Sequence, residues 1–285
     1  MKAIHINWTG PFRYRNPNKQ YVVDDFELLT TIISALKWRE HNGKIKLYTD
    51  KVGFEFYKNL NLTDLWDGGI NISTLASIKE PINPNIFWAA GKIYAFRQES
   101  TPCIMMDTDF IVWNSINKKI INKEIVVIHR EHLSHVYPHK EALVTSSDYK
   151  FDKKLCWKVR PSNTAFVYVQ DATFKKNYTD EAIRFMTNNL DDSEDKIINM
   201  VFAEQRLFSM LAHKLNISIY ELHDFDNNQN KNDKTFTHIW GYKDILRKSP
   251  DKRSAFCKKC IKRINSDYPD FGRKIMKINN LQQYF

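Results

Sequence analysis

The first fifty residues constrain the fold more tightly than any later stretch. Residues 2–8 form an apolar, β-rich run that stops at Thr9-Gly10-Pro11. Residues 24–41 then place Phe26, Leu28, Leu29, Ile32, Ile33, Leu36 and Trp38 at mostly helical spacing, with Asp24 or Asp25 available as a cap and Asn42-Gly43 as an end. Residues 45–48 make a second short strand, ending at Thr49-Asp50. A strand, a helix and a strand in so short a span predict an α/β fold with a mostly parallel central sheet.

The rest of the chain continues that alternation. Residues 52–66 read as a helix with a loop, 71–85 as an irregular polar stretch carrying Pro81 and Pro84, and 86–96 as a helix with an apolar side. Strands are expected at 124–129, 163–169 and 217–222, helices at 181–190 and 194–215, and an Asn- and Asp-rich polar loop at 224–234. The division this predicts is one catalytic domain over 1–245 and a basic, mainly helical C-terminal tail over 246–285.

Charge supports that division. The formal charge is +10, and eleven Lys or Arg against three Asp fall between Arg247 and Lys277. Basic groups gathered in a tail are a poor footprint for a nucleic-acid enzyme, which needs them along its site, so no nucleic-acid partner is expected. They suit an acidic surface such as phospholipid head groups. Phe256, Cys260 and Ile264 share one helical face, with Lys258, Lys259, Lys262 and Arg263 largely around it, a pattern that could lie on an anionic membrane surface. A solvated basic helix fits the same residues. No apolar run is long enough for a transmembrane helix and no leader is recognisable, so the expected location is cytoplasmic, with peripheral contact at the inner membrane face. Cys257 and Cys260 form a lone CxxC without a second ligand pair, and read as two thiols on a helix.

The chemistry centres on Cys103-Ile104-Met105-Met106 running into Asp107-Thr108-Asp109, followed by Phe110-Ile111-Val112-Trp113. Two carboxylates at the end of a buried strand repel each other unless a cation neutralises them. Hard Mn²⁺ or Mg²⁺ does so through oxygen ligands and leaves positions for diphosphate oxygens. The carboxyl end of a strand in an open α/β sheet is also where ligands bind. An acidic turn facing solvent is the alternative. A second cluster, Thr237-His238-Ile239-Trp240-Gly241-Tyr242-Lys243, offers an imidazole ligand, a lysine for a phosphate and a glycine permitting close backbone approach. Here the alternative is a histidine packed among aromatics.

Together these motifs resemble the glycosyltransferase family that includes glycogenin and bacterial lipooligosaccharide galactosyltransferases. The resemblance implies the GT-A fold, a UDP-sugar donor, Mn²⁺ (or Mg²⁺) and retention of anomeric configuration. It places Asp107, Asp109 and His238 on the metal, with Asp107, Gly241 and Lys243 at the nucleotide sugar. Asn163-Thr164-Ala165 is similar to the family's Asn-Ser/Thr-Gly motif, which puts Asn163 at the substrate. Glu204-Gln205 is similar to its Asp-Gln pair near the sugar, making both catalytic candidates. Lys92, with Arg97 as alternative, is similar to its basic residue on the helix before the acidic motif. Ala165 stands where the family has Gly and Glu204 where it has Asp, and the early Asp-x-x-Tyr is missing from the first strand. Apart from the resemblance, Glu204-Gln205 also reads as a polar step on an amphipathic helix.

The function this implies is transfer of a sugar from a nucleotide-sugar donor to a glycan or lipid-linked acceptor, as in cell-surface polysaccharide synthesis. Two rivals remain. A haloacid-dehalogenase-type phosphatase shares the DxD pattern, but needs Thr or Val where Ile111 stands and puts the motif on its first strand. A non-catalytic carbohydrate-binding protein would need no chemistry at these residues.

Overall fold

The computed structural model describes residues 1–78, 81–191, 197–223 and 235–285. The expected 224–234 loop and the start of the 194–215 helix lie outside these. The core is a seven-stranded sheet. Strands β1 (Ala3–Asn7), β2 (Ile45–Thr49), β3 (Ile70–Asn71) and β4 (Cys103–Met106) are parallel, in the order β3-β2-β1-β4. Next comes β7 (Phe166–Val169), antiparallel to both its neighbours, then β6 (Ile125–Val127) and β8 (Ile219–Glu221), which pair parallel. The expected α/β class with a mostly parallel sheet is therefore observed. Two further strands, β5 (Phe110–Val112) and β9 (Phe236–His238), form a separate antiparallel pair.

The strands read as continuous apolar runs because both faces of the sheet are covered. Ala3, Ile45, Leu47, Ile104, Met106, Val126 and Phe166 face one apolar cluster, which includes helix α2 (Asp25–His41) and Tyr57 of α3 (Lys51–Asn59). Ile4, Tyr48, Cys103, Met105, Val127, Val167 and Val169 face the other, made with α4 (Ala90–Gln98), α6 (Ala172–Thr187) and α8 (Leu207–Lys214). Each fully buried Leu, Ile or Phe on these faces contributes roughly 1.5–3 kcal/mol.

Several expected boundaries shift. Thr9-Gly10-Pro11 ends β1 but also opens a short helix, α1 (Gly10–Arg15), with Pro11 in its first turn where no amide partner is needed. The Thr9 hydroxyl does not cap it; it donates to Asp50 at 2.7 Å, tying the ends of β1 and β2 together. Helix α6 begins nine residues before the predicted start, at an N-cap the periodicity missed: Asp171 accepts from the Phe174 amide at 2.5 Å. The 194–215 helix is described from Ile197 and is interrupted: α7 (Ile197–Val201), a π-helical turn (Phe202–Arg206), then α8.

The region after 246 needs a physical correction. Helix α9 (Lys243–Lys248) leads into α10 (Pro250–Asp267), which packs on α2, and α11 (Pro269–Ile275) folds back against α10. Cys257, Cys260, Ile261, Ile264, Ile275, Leu281 and Tyr284 are buried in the same cluster as α2. Polar ties reinforce this: Arg253 Nε donates to Asp25 at 2.7 Å, Lys37 pairs with Asp267 at 2.8 Å, and the Tyr284 hydroxyl meets Asp25. The apolar face assigned to a membrane is thus already covered by α2, and a boundary at 245 would cut through a packed unit. Among the described residues no helix is long and apolar enough to cross a membrane.

Candidate active site

Strand β4 carries the acidic motif to the edge of the sheet where the parallel strands end. The Asp107 amide donates to the Ala165 carbonyl at 2.8 Å, a last rung with the segment entering β7. The chain then turns, the Phe110 amide donating back to the Asp107 carbonyl at 3.1 Å, and leaves the main sheet as β5. The β5–β9 register sets Phe110 opposite His238, so the residue before Phe110 meets the histidine across the ladder. The metal-ligating atoms of Asp107, Asp109 and His238 consequently all lie within 4.8 Å of one another.

One of these atoms is incomplete. Asp109 Oδ2 and His238 Nε2 are buried and 3.7 Å apart; the Lys243 ammonium pairs with Asp109 Oδ2 at 3.0 Å, whereas His238 Nε2 makes no hydrogen bond. Burial lowers the His238 pKa against the opposing pull of Asp109 and Asp107, so the imidazole is neutral near pH 7. Burial alone would raise the Asp109 pKa, but the Lys243 ammonium, through its charge and its hydrogen bond, leads the effects that outweigh it and keep the carboxylate ionised. A buried polar atom without a partner costs about 1–3 kcal/mol, so the open His238 nitrogen needs a reason. Two carboxylates and an imidazole around one point are a donor set for a divalent cation, and Mn²⁺ accepts both oxygen and imidazole ligands.

Two ammonium groups border the acids. Lys92 of α4 pairs with Asp107 at 2.8 Å and with Glu204, and donates to the Thr164 carbonyl at 3.3 Å. Burial would lower its pKa, but the Asp107 and Glu204 charges raise it well above the ordinary lysine value. Helix α4 can come this close because Gly91 faces β1: a Cβ there would lie 2.8 Å from Trp8. Lys243, at the start of α9, stands 3.0 Å from Asp109 and 3.3 Å from Glu27. Its pKa is likewise raised, burial being outweighed by Asp109 and Glu27. Glu204 sits in the π-helical turn, a geometry common at functional sites. It accepts from the Thr164 hydroxyl at 2.9 Å, and its carbonyl accepts from the Tyr178 hydroxyl at 3.0 Å.

The family described as a family of unknown function (DUF6734) matches residues 1–278. The chain belongs to this family. No curated protein matches the sequence. The DUF6734 chain is similar to three solved glycosyltransferase structures. A PaToxG glycosyltransferase is 14% identical, with 75% of this chain and 69% of that one covered and a TM-score of 0.40. Mouse xyloside xylosyltransferase 1 is 8% identical, with 78% and 85% covered and a TM-score of 0.38. A galactosyltransferase solved with donor and acceptor sugar analogues is 7% identical, with 72% and 71% covered and a TM-score of 0.37. At such identities a likeness bears on fold alone, and these TM-scores are too low to carry anything further.

Of the residues singled out in this DUF6734 sequence, Asp107, Asp109, His238, Lys92, Lys243 and Glu204 come together. Gln205 points elsewhere, accepting from the Tyr137 hydroxyl at 2.8 Å. Asn163 orients a neighbour: its amide donates to Glu131 Oε1 at 3.0 Å while its Oδ1 accepts from the Ala165 amide at 3.2 Å. Arg97 does not join the cluster. It lies five residues beyond Lys92, on another side of α4, and pairs with Asp180 at 2.8 Å. Gly241 is exposed in a 3-10 turn, and a Cβ there would meet nothing within 4 Å. The sequence reading missed Glu27 and Glu131, and gave Thr164 no role of its own within the Asn163-Thr164-Ala165 motif. Glu131 is held ionised by the His129 and Asn163 hydrogen bonds against the effect of burial. No spacing rule connects these residues to the DxD motif; only the sheet order does.

Proposed function

We propose that this protein is a metal-dependent glycosyltransferase that moves a sugar from a nucleotide-sugar donor, a UDP-sugar, to a glycan or lipid-linked acceptor. The observation that carries the reading is the convergence of Asp107, Asp109 and His238, with the buried His238 Nε2 left without a hydrogen bond and facing Asp109. Asp107, Asp109 and His238 would hold Mn²⁺ or Mg²⁺, which when bound supplies a positive centre for the donor diphosphate. Breaking the anomeric C–O bond builds positive charge on the sugar and negative charge on the departing diphosphate. Lys243 is placed to donate to that diphosphate when it leaves Asp109, and Lys92 to the sugar or the β-phosphate. Glu204 keeps the Lys92 ammonium charged and directed toward Asp107. Retention of configuration comes from the resemblance alone.

The phosphatase rival loses ground on topology. The acidic pair follows the fourth strand, and β1 ends at Asn7 and runs into Trp8-Thr9 without a carboxylate. Incubation with UDP-, GDP- and CMP-sugars and Mn²⁺ tests the proposal. Metal-dependent release of UDP from a UDP-sugar is expected (GDP or CMP would be the leaving group from the other donors); phosphate release from simple monoesters would favour the phosphatase, and release of no nucleotide or phosphate would favour a binding protein.

A further inference from the structure

Behind β5, on the α2 side of the sheet, a chain of polar side chains crosses an otherwise apolar core. The Trp66 indole Nε1 donates to His5 Nδ1 at 3.3 Å. His5 Nε2 lies 3.1 Å from the Ser34 hydroxyl, and that hydroxyl donates to the Phe110 carbonyl at 2.5 Å. His5, Ser34 and Phe110 are fully buried and Trp66 nearly so. Only one proton arrangement satisfies all three contacts. An indole can only donate, so His5 Nδ1 accepts and its proton sits on Nε2; Ser34 accepts that proton and spends its own on a carbonyl that can only accept.

The chain ends at a telling residue. Phe110 is bonded to Asp109 on one side and stands opposite His238 across the β5–β9 ladder. Its ring also lies edge-on to the His238 imidazole, with centroids 5.7 Å apart. Fixing the Phe110 carbonyl therefore fixes the residue that follows one ligand in the chain and stands opposite the other. A buried polar chain is costly to desolvate, and well-packed apolar residues would stabilise the same interface as well or better. Its retention here calls for a role beyond holding α2 to the sheet.

We propose that Trp66, His5 and Ser34 are positioning residues of the metal site, pinning the Phe110 carbonyl so that Asp109 and His238 keep the separation a shared cation bridges. The proposal rests on the Asp107–Asp109–His238 reading. Supporting groups behind metal ligands typically contribute about 10–100-fold in affinity.

The test is calorimetric titration of the full chain with Mn²⁺ alone, together with thermal melts, for wild type, Ser34→Ala, Trp66→Phe and Glu99→Gln. Ser34→Ala is expected to weaken Mn²⁺ binding about tenfold or more, and Trp66→Phe, which keeps an aromatic ring in place, about threefold. Glu99→Gln, remote from the site, lowers the melting temperature and leaves the affinity unchanged. Should Ser34→Ala fail to fold, Trp66→Phe decides. Lowered melting temperatures with wild-type Mn²⁺ affinity in the Ser34 and Trp66 variants would overturn the positioning role and leave the metal reading standing. Absence of Mn²⁺ binding by the wild type would overturn both.

Discussion

The two edges of the main sheet treat a buried carboxylate in opposite ways. At the edge where the parallel strands begin, Glu99 accepts from Lys2, from Lys46 at 2.7 Å and from the Tyr48 hydroxyl at 2.5 Å. Burial would raise its pKa, but those donors outweigh it and leave the carboxylate below its ordinary range. At the edge where the strands end, Asp109 is also held ionised, by Lys243 at 3.0 Å, yet its Oδ2 also faces an imidazole nitrogen that lacks a partner. Glu99 and its donors are closed on one another by the chain itself. Beside Asp109 the chain leaves a second carboxylate and an open imidazole nitrogen that only a bound group would complete, and that asymmetry separates a stabilising edge from a working one.

Substitution at Asp109 should break the comparison most sharply. Asp109→Ala is expected to abolish binding of UDP with Mn²⁺ while the fold stays intact, because the deletion removes a ligand while Lys243 keeps Glu27 as a partner. Titration showing unchanged nucleotide affinity would remove the metal assignment. The mirror-image variant, Glu99→Gln, should leave binding alone and lower stability by about 2 kcal/mol, since Lys2 and Lys46 are partly exposed and recover water when their partner is lost. A denaturant midpoint equal to wild type would show that the Glu99 cluster contributes nothing net.

How much of this was legible in the sequence follows from what each residue's signal depends on. Asp107 and Asp109 stand out because they interrupt an apolar run, a one-dimensional feature. His238 and Lys243 could be found within one short motif. Lys92 and Arg97 could not be separated, because the choice depends on helical phase relative to a sheet edge that the sequence does not display. The basic helix at 250–267 misled for a related reason: Cys260 and Ile264 mark an apolar face, but nothing local says whether lipid or α2 covers it. His5 and Ser34 were invisible as a pair, being 29 residues apart on a strand and a helix whose contact is purely tertiary.

Acidification sharpens the contrast through the stabilising edge. The Glu99 pKa is lowered in the fold, so the stability it contributes is complete above the ordinary carboxylate value of 4.5 and is lost as pH falls through the lowered folded value. The stability gap between wild type and Glu99→Gln should therefore hold steady from pH 7 to about 5 and close below that. Paired denaturation curves measure it, and a gap that widens on acidification would reverse the assigned sign.

The smallest expected effect lies at the working edge and is a weakened dependence on pH. An ordinary histidine titrating near 6.5 would lose most of its neutral form between pH 7.5 and 6, and metal affinity through it would fall about fourfold. Burial lowers the His238 pKa, so less of its neutral form is lost over that interval. Mn²⁺ affinity should accordingly fall by less than the roughly fourfold of an ordinary histidine from pH 7.5 to 6. A fourfold decline over that range, absent in His238→Ala, would mean that the imidazole titrates as if exposed and that burial does not ready it for metal.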